Sequence, residues 1–148
     1  MRSKIYYTIL MITLIALPLF SQGVGNLQYI NDLGNKKIAT NGDAVKFFMM
    51  AMDKTPGAFK TDVSKLKKLG VLRSTDIDEK SPLRRGVIAN MVVRHLKLRD
   101  SLLYIIFGTD RYAYRVCAAR RIMDYDGSEW DIISGEELIE IMSNVTGK

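Results

Sequence analysis

The stretch DGSEWDIISGEEL, residues 126–138, combines a polar loop with the start of a helix, and this combination is the basis of the fold prediction. The Asp-Gly pair at its start and the polar residues around it predict a turn within a loop. Ser134 and Glu137 have the S-x-x-E spacing of a capping box, in which each side chain satisfies a backbone N–H of the first helical turn. The loop therefore leads through Ile133 into a helix that continues over the apolar positions LIEIM.

A helix also precedes this loop. Thr109 and Asp110 are typical of a helix N-terminus, and the segment RYAYRVCAARRIM that follows has apolar residues at helical spacing. Cys117 lies among these apolar residues, which predicts a small buried side chain and not a reactive thiol. The helix after the loop is expected to fray at residues 145–148.

The same succession of helix, polar loop and helix occurs earlier in the chain. Thr61 is predicted to cap the helix VSKLKKLG, which Gly70 would end in a left-handed conformation. The polar loop of residues 73–81 follows. Ser81 and Pro82 then predict the start of a long helix, LRRGVIANMVVRHLKL, because Ser caps well and Pro at the first helical position loses no hydrogen bond.

The two copies have the same spacing. Residues 71 and 122 are 51 positions apart, and residues 83 and 133 are 50 apart. The helical pattern from Asp43 to Asp53 is interpreted as the second helix of a degenerate earlier copy. No long segment has the period-2 alternation of a strand, so we expect an all-α fold, a small helical domain of repeated helix-loop-helix units over residues 42–148.

This pattern resembles the S-layer homology family. Repeats of that family place a helix before a Gly-Ile/Val step, then a loop of the type D-G-x-F, then a helix that begins Ile/Leu-Thr-Arg-Ala-Glu. Here Asp126-Gly127 matches the loop turn, Trp130 stands near the family aromatic, and ISGEE at 133–137 occupies the helix motif. The earlier copy keeps Leu83 and Arg85, but it has Arg84 for Thr and Val87 for Glu, and Gly135 replaces Arg in the later copy.

The resemblance implies non-covalent binding to a cell-wall polysaccharide or peptidoglycan-linked polymer, without catalysis. Arg85 would pair with an anionic group, Trp130 would face a sugar ring, and Glu137 would accept hydroxyl hydrogen bonds. Arg84 and Gly127 complete this set of candidate ligand-binding residues. Each main role has a plainer alternative: Arg85 as a solvated first-turn residue, Trp130 as a plug packed on the core, and Glu137 as a capping residue.

Two further segments are assigned from pattern alone. Residues 24–41 are rich in Gly and Asn and short of apolar periodicity, so they are expected to form a linker or irregular arm. Asp100 and Ser101 are expected to cap the apolar segment LLYIIFG, residues 102–108. That segment is too short to cross a membrane and is expected to form a buried helix.

The N-terminus predicts export. Arg2 and Lys4 precede an uncharged, mostly apolar run over 5–20, and Ser21-Gln22-Gly23 has the small residues of a cleavage site. Residues 1–23 are therefore expected to be a signal peptide, with retention as an uncleaved membrane anchor as the alternative. We accordingly expect a periplasmic or cell-surface location in a bacterium.

The composition limits the chemistry. One His and one Cys cannot build an ordinary zinc site or a disulfide, and no phosphate loop, nucleophile elbow or zincin motif occurs, so no metal, cofactor or enzymatic activity is expected. The one histidine, His95, is expected near a helix end, exposed or stabilising that end. The formal net charge of +6 suits an anionic polymer or lipid headgroups, although a scattered solvated surface is the more common explanation.

These observations favour an exported binding or assembly module of the cell envelope that holds peptidoglycan or a wall polymer. The second hypothesis is a structural subunit that binds another periplasmic protein, which the incomplete motifs favour. A nucleic-acid-binding helical domain is the weakest alternative, since the basic residues could contact phosphates but the predicted leader argues against it.

Overall fold

The computed structural model describes residues 25–99 and 101–147; the predicted signal peptide lies outside them. Over this part of the chain there are seven helices and no strand, which confirms the all-α prediction. The chain divides into two compact units, Met1–Asp32 and Leu33–Lys148. Of the first unit, residues 25–32 are described and are helical.

The helices have the following bounds: α1 (25–34), α2 (Asn41–Ala51), α3 (Phe59–Lys68), α4 (Arg85–His95), α5 (Leu102–Phe107), α6 (Asp110–Ala119) and α7 (Gly135–Thr146). The irregular arm predicted for 24–41 is therefore wrong over residues 25–34. Leu33 is the one buried residue of this helix, so packing fixes its last turn, and nothing in the structure explains the helical conformation of the exposed residues before it.

Three copies of the unit are joined through the residue that precedes each second helix. Leu83 N–H donates to Ala39 O at 2.8 Å, Ala39 N–H donates to Ile133 O at 2.9 Å, and Ile133 N–H donates to Leu83 O at 3.1 Å. All three side chains are fully buried. The three segments therefore close a ring of backbone hydrogen bonds around a pseudo-threefold centre.

A second set of hydrogen bonds lies outside this ring. The first residue of each of α2, α4 and α7 donates its backbone N–H to a carbonyl of the loop in the next copy: Asn41 to Ser81 at 3.0 Å, Arg85 to Asp131 at 2.8 Å, and Gly135 to Lys36 at 2.9 Å. The exposed N–H groups of helix N-termini are thus satisfied between copies. This cyclic arrangement accounts for the third, degenerate copy that the sequence suggested around α2.

The helices pack across copies around this centre, with α2 on α3, α4 on α6 and α7 on α2. The ends of α1 and α7 also meet, since Gly34 and Gly135 lie against Ile139 and Leu33 respectively. The core is built from large apolar side chains with almost no exposure, among them Phe48, Met49, Leu66, Ile88, Leu138 and Met142.

The predicted start of α4 is wrong because of this ring of hydrogen bonds. The long helix was expected to begin at Ser81-Pro82, but α4 begins at Arg85 with Arg84 as its N-cap. Pro82 instead forms an isolated bridge with Thr40, and Leu83 belongs to the central ring, so residues 82–83 are extended. Good local capping residues are therefore outweighed by hydrogen bonds to distant segments.

Other helix ends follow local rules more closely. Gly70 ends α3 with φ +78°, as predicted, and Ser101 caps α5 by accepting from Tyr104 N–H. The cap predicted at Thr61 is wrong, since α3 begins at Phe59. The fraying predicted at 145–148 is wrong for Val145, which is buried within α7.

No helix within residues 25–99 and 101–147 combines the length and hydropathy that a membrane crossing requires.

Candidate functional site

The structure brings the five candidate ligand-binding residues into one region, at the junction of α4, α7 and the loop before α7. Arg85 is the first residue of α4, and its Nε donates to Glu137 Oε1 at 2.7 Å. Its Nη1 donates to Asp131 Oδ2 and to the carbonyl of Asp126, both at 3.3 Å. One guanidinium therefore ties together two helices and the intervening loop.

Arg85 is mostly buried by these contacts. Its side chain is 14% exposed, so the alternative of a solvated first-turn residue is wrong. The hydrogen bond to Glu137 raises the pKa of Arg85 above its usual value and opposes the effect of burial. The guanidinium of Arg85 therefore binds groups within the chain, and its main role is to position the loop and the two helices.

Gly127 allows the loop backbone to lie close to the guanidinium of Arg85. A Cβ on this residue would lie 1.7 Å from Arg85 Nη1, which is far inside van der Waals contact. The Asp-Gly turn therefore also supports a tertiary contact, because it lets the loop backbone approach Arg85. A side chain at position 127 would require the guanidinium of Arg85 to shift.

Glu137 has a different role from the one its spacing predicts. Ser134 Oγ accepts from Glu137 N–H at 3.1 Å, which confirms the serine half of the capping box. The carboxylate of Glu137 binds Arg85. The complete capping box occurs instead at Thr40 and Asp43, where the sequence analysis did not place one.

The loop before α7 is internally fixed. Asp131 Oδ2 accepts from Ser128 N–H at 2.8 Å as well as from Arg85, and Asp131 N–H donates to Ser128 O at 3.1 Å. Trp130 N–H donates to Ser128 Oγ at 3.3 Å. These hydrogen bonds hold the backbone that carries the indole of Trp130.

Trp130 projects from the surface. It is 66% exposed, so the alternative of a plug packed on the core is wrong. The guanidinium carbon of Arg84 lies 5.3 Å from the centre of the indole, within the range of a cation–π contact. Arg84 is also the N-cap of α4, although it provides no side-chain cap.

An open groove runs between this loop and α6. Tyr114 and Ala118 line it from α6, and Tyr125 and Trp130 line it from the loop. Tyr125 is the most exposed of these aromatics, at 76%. Tyr114 is buried, which raises its pKa, and its hydroxyl donates to Asp124 O at 2.8 Å, so it supports the loop.

Glu129 of the loop also lines this groove, and so do two arginines of α6, Arg111 and Arg115. They are four residues apart and therefore share one helix face. From the sequence, Arg111 and Arg115 were two of many scattered basic residues, and nothing singled out Tyr125. The available signal was the i, i+4 spacing of the arginines together with two aromatics in the following loop.

The groove combines two kinds of recognition. Exposed aromatic faces offer apolar contact to a ring, and arginine forks offer paired hydrogen bonds to carboxylate or phosphate. Over the described residues, no group of three or more His, Cys, Asp or Glu side chains lies close enough together to hold a metal ion.

Comparison with protein-family models, with curated proteins and with solved structures finds no match to this chain. The groove and its supporting contacts therefore have to be interpreted from their own chemistry.

Proposed function

We propose that this protein is an exported, non-enzymatic binding module of the bacterial cell envelope that associates with peptidoglycan or a cell-wall polymer. The observation that carries the proposal is the groove between α6 and the loop before α7. It presents exposed Tyr125 and Trp130 beside Arg111 and Arg115. A polymer of sugar rings with carboxylate or phosphate groups has both complementary features.

A relationship to the S-layer homology family is part of the proposal. It is supported by three helix-loop-helix copies that meet at the residue before each second helix. Thr40 and Ser134 cap α2 and α7 at the Thr position of the family motif. Arg85 and Glu137 occupy the Arg and Glu positions of different copies, and they bind each other.

The groove is tested by sedimentation of purified protein with isolated sacculi. We expect Trp130→Ala and Arg115→Gln each to weaken binding by about tenfold, the effect of losing about 1.4 kcal/mol from one good contact. Phe107→Ala is the matched aromatic control, because Phe107 is 55% exposed on α5, and Lys60→Gln is the charge control. If all four variants bound sacculi equally well, the proposal would be contradicted.

Arg85→Ala is a poor probe of ligand binding, since Arg85 holds the loop in place and its loss would disturb the fold. Export is tested separately. Mass spectrometry of the protein from a bacterial envelope fraction should give a mass that begins after Gly23, or an intact chain in the membrane if the leader is retained. An intact Met1 in a cytosolic fraction would contradict the location.

The second candidate is a structural subunit that binds another periplasmic protein. The incomplete motifs favour it, because Gly135 stands where the family has Arg, and Arg85, which holds the Arg position of the earlier copy, is committed to Glu137. Crosslinking in the periplasm distinguishes the two. A stoichiometric protein partner whose capture survives Trp130→Ala, together with no binding to sacculi, would favour the subunit.

A further inference from the structure

Helix α5 presents an apolar surface that no described part of the second unit covers. Five of its six residues, all except Tyr104, are large hydrophobic side chains with exposures between 46% and 76%: Leu102, Leu103, Ile105, Ile106 and Phe107. The apolar sequence of α5 predicts a buried helix, and that prediction is wrong. Apolar residues concentrated in this way on a surface mark an interaction site.

The exposed helix is held firmly by polar contacts on its inner side. Ser101 Oγ accepts from Tyr104 N–H at 3.2 Å, and Tyr104 O–H donates to Asn90 Oδ1 at 2.9 Å. Arg73 Nη1 donates to the carbonyl of Gly108, the left-handed residue that ends the helix. These contacts orient the apolar face of α5 in the native state.

Cations border this apolar face. Four cations, Arg73, Arg94, Lys97 and Arg99, are among the residues that line the groove beside α5, and none of the described lining residues is acidic. In the sequence from 94 to 108, Asp100 is the one acid, and it lies outside the described residues. An occupant of this surface must therefore be apolar at the centre and anionic at the rim.

A second copy of this chain fits that description poorly. A stable dimer buries about 800 Å² per partner from about 20–30 residues, whereas α5 is six residues and about 9 Å long. A symmetric pairing would also place the same cations opposite one another. An anionic bilayer surface fits better, because it accepts short apolar segments to a depth of about 5–10 Å beneath negative headgroups.

We propose that α5 inserts its apolar face into the interface of an anionic lipid bilayer, with the bordering cations against the headgroups. The inference is independent of the polymer-binding groove, since it uses a different helix and different side chains. It is also independent of the leader, because it concerns the local environment of α5 itself.

The test uses the full chain with an environment-sensitive fluorophore on Ile106→Cys. The native Cys117 is fully buried, and labelling of the unsubstituted chain checks that it does not react. The matched control is Ile38→Cys, at an isoleucine that is 51% exposed outside α5. Each labelled protein is mixed with vesicles of phosphatidylcholine alone or of phosphatidylcholine with phosphatidylglycerol.

We expect a blue shift and higher emission at position 106 with the anionic vesicles, and no change at position 38. In the Ile106→Cys background, Lys97→Gln with Arg99→Gln should weaken the vesicle affinity read from this response about 30-fold, at about five- to sixfold per cation. The paired control, Lys37→Gln with Lys60→Gln, should leave it unchanged. Concentrated salt should weaken the response, because it screens the headgroup charge.

Three outcomes would overturn the proposal. The first is vesicle binding without a change at position 106, which would assign attachment to another segment. The second is an equal response with neutral and anionic vesicles. The third is a probe at 106 that is already in an apolar environment before vesicles are added, which would mean that another part of the chain, or a second copy, covers α5.

Discussion

At the scale of single residues, two adjacent arginines have opposite roles. Arg85 binds Glu137, Asp131 and the Asp126 carbonyl, whereas Arg84 lies exposed over Trp130. We expect Arg85→Met to lower the free energy of unfolding by about 2–3 kcal/mol, since a charged hydrogen-bonded group in a partly buried site loses its partners. Arg84→Met should cost no more than about 1 kcal/mol.

Urea denaturation of both variants at neutral pH measures this difference, and the adjacent arginine controls for the loss of one charge. Equal destabilisation would mean that the contacts of Arg85 contribute little beyond charge. The Arg85–Glu137 contact joins residues 52 positions apart, so no local pattern could predict it. The sequence predicted a ligand-binding role for both arginines, which differs from the contacts to Glu137 and Trp130.

His95 predicts a pH dependence of stability. It is the one histidine of the chain and lies at the end of α4, with its ring 5.7 Å from that of Phe48 in an edge-on contact. Burial lowers its pKa below the usual 6.5, so the folded state disfavours the proton that the unfolded state accepts. The free energy of unfolding should therefore fall as the pH drops through 6.5.

Denaturation on either side of pH 6.5 measures that slope, in a range where Asp and Glu remain ionised in the unfolded chain, with pKa values of about 3.9 and 4.3. His95→Gln should remove most of it. A slope that persists in this variant would contradict the assignment. The sequence placed His95 near a helix end, but its packing on Phe48 depends on a helix from another copy.

At the scale of elements, the start of α7 lies directly against the backbone at the end of α1. A Cβ on Gly135 would lie 1.8 Å from the carbonyl oxygen of Leu33, a backbone atom that cannot rotate away. We expect Gly135→Ala to lower the free energy of unfolding by about 3 kcal/mol, the upper end of the range for overpacked sites. Thermal or urea unfolding measures this.

Glu136→Ala provides the control, because Glu136 is exposed at the next position of the same turn. It should change stability by about 0.5 kcal/mol or less. If Gly135→Ala were equally mild, the close approach of α1 to α7 would not be essential.

The sequence predicted that most of the helices exist, but it did not always predict where a helix starts or whether its side chains are exposed. The apolar pattern correctly indicated α2, α4, α6 and α7. It misplaced the start of α4, because the extended segment at Leu83 is set by partners at Ala39 and Ile133. It also gave α5 the wrong environment, since six apolar residues have the same composition whether a neighbour covers them or not.

At the scale of the whole molecule, the repeat spacing indicated copies but not their closure. A spacing of 50 or 51 residues is compatible with an open stack, in which each copy contacts only its neighbours. The ring through Ala39, Leu83 and Ile133 makes every copy a neighbour of the other two. Closure depends on the copy that includes α1 and α2, which is the one with the weakest sequence signal.

A closed ring predicts that the copies unfold together. The amides of Ala39, Leu83 and Ile133 should exchange with deuterium only through global unfolding, so their exchange free energies should be equal. Ile105 N–H, which donates within exposed α5, should exchange by local opening and serves as the contrast. Gly135→Ala should lower the three ring values by the same amount, although the substitution lies in one copy. If Leu83 kept its protection while Ile133 lost it, the copies would be independent units of a stack, and the groove beside Trp130 would depend on the last copy alone.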